Sequence, residues 1–161
     1  MTDNSIVREK LAQAVEVLEE EGVDLWMIVA RESDVLGDPS MPLVVGTSVT
    51  WESAFLISRT GDHRAIVAVG DVENIRQTGA WDNVVGYVEG ISGELIRAFD
   101  ELQPNMIALN YSIDNYMSDG VTHGMYLLLE EMLRDTPHWA KVQSSGEIPT
   151  KVRARKSPAE L

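Results

Sequence analysis

The chain has 161 residues, of which 13 are Lys or Arg and 26 are Asp or Glu, so its formal net charge is −13. This length suits a single domain, and a hydrophobic content of 44% with 24% charged residues is typical of globular proteins. The negative charge disfavours nucleic acid and anionic membranes as partners, and the absence of Cys excludes disulfides and thiolate chemistry.

No apolar run in the sequence approaches the length of a bilayer, and the first residues lack the basic and apolar regions of a signal peptide. The expectation is a cytoplasmic protein with no membrane partner. The acidic composition is compatible with salt adaptation and equally with an ordinary cytosolic protein.

The first predicted elements are a helix and a buried strand. A helix from Ser5 to Glu21, ended by Gly22, is predicted by apolar residues at helical spacing, namely Val7, Leu11, Ala14, Val15 and Leu18. The continuous apolar run from Leu25 to Ala30 predicts a strand buried on both faces.

A long irregular stretch follows, from Arg31 to Thr50, and it contains two prolines. Connections of this length are uncommon in compact domains unless they serve a function. The apolar residues in and beside it are expected to be exposed on a binding surface: Met41, Leu43, Val44, Val45 and Trp51. The alternative for Trp51 is that it packs beneath its own loop.

The rest of the chain predicts alternating strands and helices. Ala54–Arg59 and Arg64–Val69 flank a four-residue turn and predict an antiparallel hairpin. The later predicted elements are a helix capped by Asp71, a strand over 84–88, a helix capped by Ser92, a strand over 106–110, a helix ending near Pro137 and a strand over 139–143. The fold class is therefore α/β, with a mixed, roughly six-stranded sheet and helices on both faces.

The sequence shows no catalytic constellation and no metal site. None of the histidines has an acid or second His at ligand spacing, so they are interpreted as exposed loop residues: His63, His123 and His138. A glycine group between a strand and a helix lacks the spacing of a phosphate-binding loop and is interpreted as a structural turn: Gly86, Gly90 and Gly93.

The last stretch predicts the start of a helix. Ser157 is a good N-cap, Pro158 suits the first helical position, and Glu160 can reach back to the Ser157 amide. Residues 151–161 carry four basic groups and one acid, whereas residues 1–150 carry nine basic and 25 acidic groups, a net charge of −16. We expect a basic connector toward a second domain; the alternative is a frayed, solvated terminus.

A family resemblance rests on the same stretch. The pattern of Arg153, Lys156, Ser157, Glu160 and Leu161 resembles the domain junction of the creatinase, prolidase and aminopeptidase P metallopeptidases, and the preceding element order resembles their N-terminal domain. The segment from Met41 to Gly46 stands where that family carries a Tyr-Leu-Thr-Gly-like segment, without the Tyr. The resemblance implies an N-terminal domain over residues 1–150 and a linker with a first helical turn over 151–161.

The resemblance implies a non-catalytic domain of an Xaa-Pro dipeptidase or aminopeptidase that shapes substrate access and dimer contacts. Its own C-terminal catalytic domain would hold two divalent metal ions (Mn, Co or Zn) through two Asp, one His and two Glu, none of them in this chain. This chain alone is expected to be inactive and to contain no cofactor.

The implied partners are that catalytic domain, a second subunit in a homodimer and a small peptide substrate. The implied substrate-access loop contains Met41, Leu43, Val44, Val45, Gly46 and Trp51. Relatives also act on creatine and other small substrates, and some have lost catalysis, so the parent substrate stays open. The alternative is a stand-alone α/β binding or regulatory domain without peptidase activity.

Overall fold

The computed structural model describes residues 4–161, which form six helices and six strands joined by turns and loops. In chain order these are α1 (Ser5–Glu21), β1 (Leu25–Ala30), α2 (Met41–Val44), β2 (Ser53–Ser58), β3 (Arg64–Ala68), α3 (Val72–Gln77), β4 (Asn83–Tyr87), α4 (Ser92–Leu102), β5 (Ile107–Leu109), α5 (His123–Leu133), β6 (Val142–Ser144) and α6 (Ile148–Ala154). No helix within this described range is both long and apolar enough to cross a membrane.

The six strands form one mixed sheet in the order β4-β3-β2-β1-β5-β6. Strand β2 is antiparallel to both β1 and β3, whereas β1, β5 and β6 are mutually parallel and β3 is parallel to β4. The predicted mixed sheet with an antiparallel hairpin is therefore confirmed.

The sheet has a hydrophobic core on each face, because successive side chains of a strand point to opposite sides. In β1, Trp26 and Ile28 pack into one core together with α1, α2 and α6, while Leu25 and Met27 pack into the other with α4 and α5. Every residue of β1 and β2 is buried. The predicted helices on both faces are confirmed.

Helix α1 has the predicted bounds, and Gly22 ends it in a left-handed conformation with φ of 67°. The predicted apolar stripe is wrong at one position, since Val15 is only half-buried while Val17 is fully buried. Lys10 is also buried on this face.

Several local predictions differ from the structure in detail. Asp71 occupies the N-cap position of α3 as predicted, but its carboxylate makes no capping hydrogen bond. Ser92 is the first residue of α4 rather than its cap. The last predicted strand begins with a 3₁₀ turn at Trp139–Lys141, and β6 follows it. The long connection after β1 is also not wholly irregular, since it contains α2.

The C-terminal segment packs against the domain. The predicted boundary after residue 150 falls inside α6, where Val152 is fully buried. A 3₁₀ turn follows at Pro158–Glu160, and the Glu160 carboxylate accepts a hydrogen bond of 3.0 Å from the Ser157 amide as predicted.

Candidate functional site

One edge of the sheet collects most of the long connections. Strands β1, β3, β4, β5 and β6 all end there, and β2 begins there because it runs in the opposite direction. We call this edge, with the connections 31–52, 69–71, 88–91 and 110–122, the carboxyl edge. Ligands of open α/β sheets usually bind outside the carboxyl ends of the strands.

The carboxyl edge carries most of the exposed apolar surface. Nine large apolar side chains are exposed among the described residues, and only Leu127 and Leu161 lie elsewhere. The other seven belong to the connections of this edge: Val35, Leu36, Trp51, Val69, Val88, Ile113 and Tyr116. Exposed apolar residues concentrated on one side are typical of an interaction surface.

Trp51 is held by its backbone while its side chain stays 63% exposed. The preceding amide of Thr50 donates to Asp71 Oδ2 at 3.0 Å, and the Trp51 carbonyl accepts from Ser53 Oγ at 2.8 Å. The carbonyl of Glu52 accepts from the Tyr87 hydroxyl at 2.6 Å. Three consecutive residues are thus fixed, and the indole is presented to solvent on an ordered chain.

A cleft of about 890 Å³ lies beside Trp51 at the ends of β3 and β4. Its walls include the indole of Trp51, the ring of Tyr87 and the side chain of Met132. Burial raises the pKa of Tyr87 to about 12, and the nearby carboxylates of Glu52 and Asp71 add to this shift. Three acids and no basic residue line the cleft, so it favours a ligand that is apolar or cationic.

The glycines interpreted as a structural turn lie near this cleft. Gly86 is in β4, where a Cβ would lie 2.8 Å from Val72 Cγ2, so its close packing against α3 explains the glycine. Gly90 lines the cleft, and Gly93 is in the first turn of α4.

A buried polar network fixes the connection between β1 and β2. The carboxylate of Asp38 accepts from the Ser40 amide at 2.8 Å and from Asn110 Nδ2 at 3.1 and 3.0 Å. Asn110 Oδ1 in turn accepts from Trp26 Nε1 at 2.8 Å. Burial raises the pKa of Asp38, although these hydrogen bonds act in the opposite direction.

Glycine is required where the second connection crosses this network. A Cβ on Gly120 would lie 2.0 Å from Asp38 Oδ2. The connection 110–122 therefore packs its backbone directly on the buried carboxylate, and the two longest connections of the carboxyl edge are held together.

The six residues predicted to form the substrate-access loop lie in three kinds of environment: buried, exposed and intermediate. Met41, Val44 and Val45 are buried in the hydrophobic core, so the expectation that they are exposed is wrong. Trp81 Nε1 donates to the Val44 carbonyl at 3.1 Å, which ties α2 to that core. The alternative that Trp51 packs beneath its loop is also wrong, because its side chain is exposed.

The two remaining loop residues have supporting positions. Leu43 is half-buried and packs against the core. Gly46 has φ of 80°, and a Cβ there would lie 2.7 Å from Val7 Cγ2, so both conformation and space require glycine.

The histidines do not form a site. His123 is exposed as expected, but His63 is half-buried and its Nδ1 accepts from the Ser58 amide at 3.2 Å. Burial lowers the pKa of His63. His138 is buried, with its Nε2 2.7 Å from Asp100 Oδ1, so the interpretation as an exposed residue is wrong. Within residues 4–161 no group of three or more His, Asp or Glu side chains is placed to hold a metal ion.

The predicted junction residues lie along α1. Arg153 and Lys156 are exposed, and the Lys156 carbonyl accepts from Gln13 Nε2 at 3.2 Å. Ser157 is buried, and Glu160 forms an ion pair of 2.9 Å with Lys10.

Sequence reasoning missed Asp38, Asn110 and Lys10. The burial of Lys10 could have been predicted from the sequence, because it lies three residues after Val7 and one before Leu11, on the apolar side of α1. Asp38 and Asn110 are 72 residues apart, and no spacing rule connects them.

The sheet order, the hairpin and the flanking helices define the fold of the creatinase and prolidase N-terminal domain. An isolated N-terminal domain of this kind, from an X-Pro dipeptidase of Streptococcus pyogenes, matches with a TM-score of 0.62 at 12% identity, over 86% of this chain and 94% of that one. The predicted resemblance in fold is confirmed.

Two longer proteins share the fold. An Xaa-Pro dipeptidase from Bacillus anthracis matches with a TM-score of 0.68 at 18% identity, over 94% of this chain and 37% of that one. An X-Pro aminopeptidase from Thermotoga maritima has the same TM-score at 19% identity, over 93% and 37%. This chain thus spans about 37% of their length. No protein-family model matches the sequence, and no curated protein matches it.

Proposed function

We propose that this chain is the non-catalytic N-terminal domain of an Xaa-Pro dipeptidase or aminopeptidase. The fold it shares with such enzymes and its partial coverage of their length support this assignment. The proposal includes a homodimer in which the carboxyl edge faces the catalytic domain of the neighbouring subunit. The observation that carries this role is Trp51, exposed on a backbone fixed by its neighbours.

The chemistry would take place in a separate catalytic domain of the same protein. Two divalent metal ions there would activate water for hydrolysis of the peptide bond before proline. The described residues do not provide a ligand set for such ions. This domain would instead limit which peptides reach the metals. That role requires a wall of the right shape and a few contacts with the peptide, and no catalytic group.

The charge of the carboxyl edge suits this role. The cleft beside Trp51 is lined by Glu52, Asp71 and Glu89 and by no basic residue. A short peptide carries a positive amino terminus, which acidic groups and the face of an indole both attract. Larger folded proteins would be excluded by the walls of the assembly. A cytoplasmic location remains part of the proposal.

A stand-alone binding domain is the second candidate, and the cleft favours it. A volume of about 890 Å³ lies within the range of small-molecule sites. The reading frame after codon 161 separates the candidates. A continuation with spaced Asp, Asp, His, Glu and Glu supports the peptidase, whereas a stop codon after Leu161 contradicts it.

Trp51→Ala in the protein with its catalytic domain tests the role of the edge. We expect an altered KM or peptide-length preference for Xaa-Pro substrates with unchanged metal content, because the metals are bound elsewhere. Leu127→Ala is the matched control, since Leu127 is exposed on α5 outside the carboxyl edge. Equal kinetics for Trp51→Ala and wild type would contradict the proposed role.

A further inference from the structure

Lys10 is fully buried, which is rare for lysine. Its ammonium donates to the Val152 carbonyl at 2.9 Å and to the Arg155 carbonyl, and it pairs with Glu160 Oε1 at 2.9 Å. A lysine has three N–H donors, and these three acceptors match them. All three acceptors belong to the C-terminal segment, 142 or more residues further along the chain.

Neighbouring residues of α1 add two contacts to the same segment. Glu9 Oε2 accepts from the Ala159 amide at 2.9 Å, and Gln13 Nε2 donates to the Lys156 carbonyl. Gln13 lies one helical turn after Glu9 and Lys10, so its side chain is a neighbour of both on the surface of α1. We call these three residues, with residues 152–160, the latch.

The latch makes the two ends of the described chain depend on each other. A buried ammonium that loses its partners is strongly unfavourable, so Lys10 cannot remain buried if residues 152–160 leave. The ion pairs of Lys151 with Glu21 and of Arg155 with Glu20 are more exposed, and such pairs contribute little. Lys10 is therefore the central contact.

We propose that Lys10 is a positioning residue that fixes the direction in which the backbone leaves this domain after α6. For a catalytic domain that follows, which rests on the proposed function, the latch would set how the carboxyl edge is oriented toward that domain. The direction of the chain at residues 155–161 is a property of this domain alone and can be tested without any peptidase.

The first test compares the 161-residue chain with its Lys10→Met variant. We expect trypsin to cut after Arg155 about tenfold faster or more in the variant, because the carbonyl of the bond to be cut loses the ammonium that holds it. Amides 157–161 should lose hydrogen-exchange protection while those of β1 and β2 keep theirs. Lys151→Met is the matched control and should change neither readout. Unchanged cleavage and exchange in Lys10→Met would overturn the proposal.

A spectroscopic readout separates the latch from a general packing role. Lys10 is the main reason that the pKa of Glu160 is lowered to about 2, and the Ser157 amide reports on that carboxylate. The Ser157 amide shift, which follows the charge of Glu160, should change little between pH 6 and 3 in wild type. In Lys10→Met its midpoint should move upward, toward the ordinary value of 4.5, because the largest cause of the lowered pKa is gone. Matching titrations in both proteins would overturn the latch.

A second variant tests the proposal if Lys10→Met does not fold. Glu160→Gln keeps the two carbonyl acceptors of Lys10, so amides 157–161 should lose hydrogen-exchange protection while those of α6 keep it. Full protection of amides 157–161 in this variant would overturn the proposal.

The direction of the chain can be measured with a reporter domain appended after Leu161. The distribution of distances between spin labels on α1 and on the reporter domain should be narrow in wild type and broad in Lys10→Met or Glu160→Gln. Narrow distances in the variants would overturn the positioning role, whereas a reading frame without a peptidase would overturn only the proposed function.

Discussion

At the scale of single residues, Trp51 and Asp38 lie in environments opposite to their polarity. An indole on the surface forgoes the apolar burial that usually stabilises a fold, and a buried carboxylate is costly unless it is hydrogen-bonded. Hydrogen bonds from neighbouring residues stabilise both residues in these environments. The backbone around Trp51 is fixed by Asp71, Ser53 and Tyr87, and Asp38 has its hydrogen bonds to Ser40 and Asn110.

Asp38→Asn should change how stability depends on pH. Burial raises the pKa of Asp38 above its ordinary 3.8, so the folded protein binds this proton more tightly than the unfolded chain does. The stabilisation that the protonated Asp38 gives to the folded state is complete below about pH 3.8. This stabilisation is lost as the pH rises through the raised pKa of Asp38.

Urea unfolding of wild type and Asp38→Asn between pH 3.5 and 7 measures this effect. The free energy of unfolding of wild type, taken relative to that of the variant, should fall as pH rises. A difference that is constant or increases with pH would contradict the raised pKa.

At the scale of elements, the connections 31–52 and 110–122 act as one unit because Gly120 packs on Asp38. Gly120→Ala should lower the free energy of unfolding by more than about 2 kcal/mol, since its Cβ would lie where Asp38 Oδ2 is. Gly124→Ala is the matched control: nothing lies within 4 Å of its Cβ, and in α5 it should stabilise by up to about 1 kcal/mol. Urea unfolding measures both; equal effects would refute the close contact.

Most elements could be predicted because their signals are local. The period of α1 and the apolar run of β1 each contain their own evidence, so their bounds agree with the structure. The connection after β1 could not be predicted in the same way. Met41, Val44 and Val45 are apolar in a loop-like context, and only the position of Trp81 and of the sheet shows that they point inward.

At the scale of the whole molecule, the described residues include many acids, but no three or more of the His, Asp and Glu side chains are grouped so that they could hold a metal ion. Calorimetry of the 161-residue chain with Mn²⁺ or Zn²⁺ should therefore show no stoichiometric binding tighter than micromolar. EDTA treatment should leave its thermal unfolding unchanged for the same reason. A tight one-to-one isotherm would reveal a site within this domain and contradict the proposed division of tasks.

The opposite net charges of residues 1–150 and 151–161 were visible in the sequence, but the ion pairs between the two segments were not. Arg155 and Lys151 pair with Glu20 and Glu21 of α1, so basic residues of the last segment match acids of the first helix. The composition shows that the two segments have net charges of opposite sign. It does not show that they touch, since contacts across 130 or more residues depend on the fold.

The contact between Lys10 and Glu160 also has a consequence for synthesis on the ribosome. Lys10 leaves the ribosome long before its acceptors, because the first of them, the Val152 carbonyl, lies 142 residues later and the last, the Glu160 carboxylate, lies 150 residues later. The apolar side of α1 stays exposed until the strands and the last helix that cover it have been synthesised. Such exposed intermediates are the species that chaperones protect, so the nascent domain should need protection until its last turn has emerged.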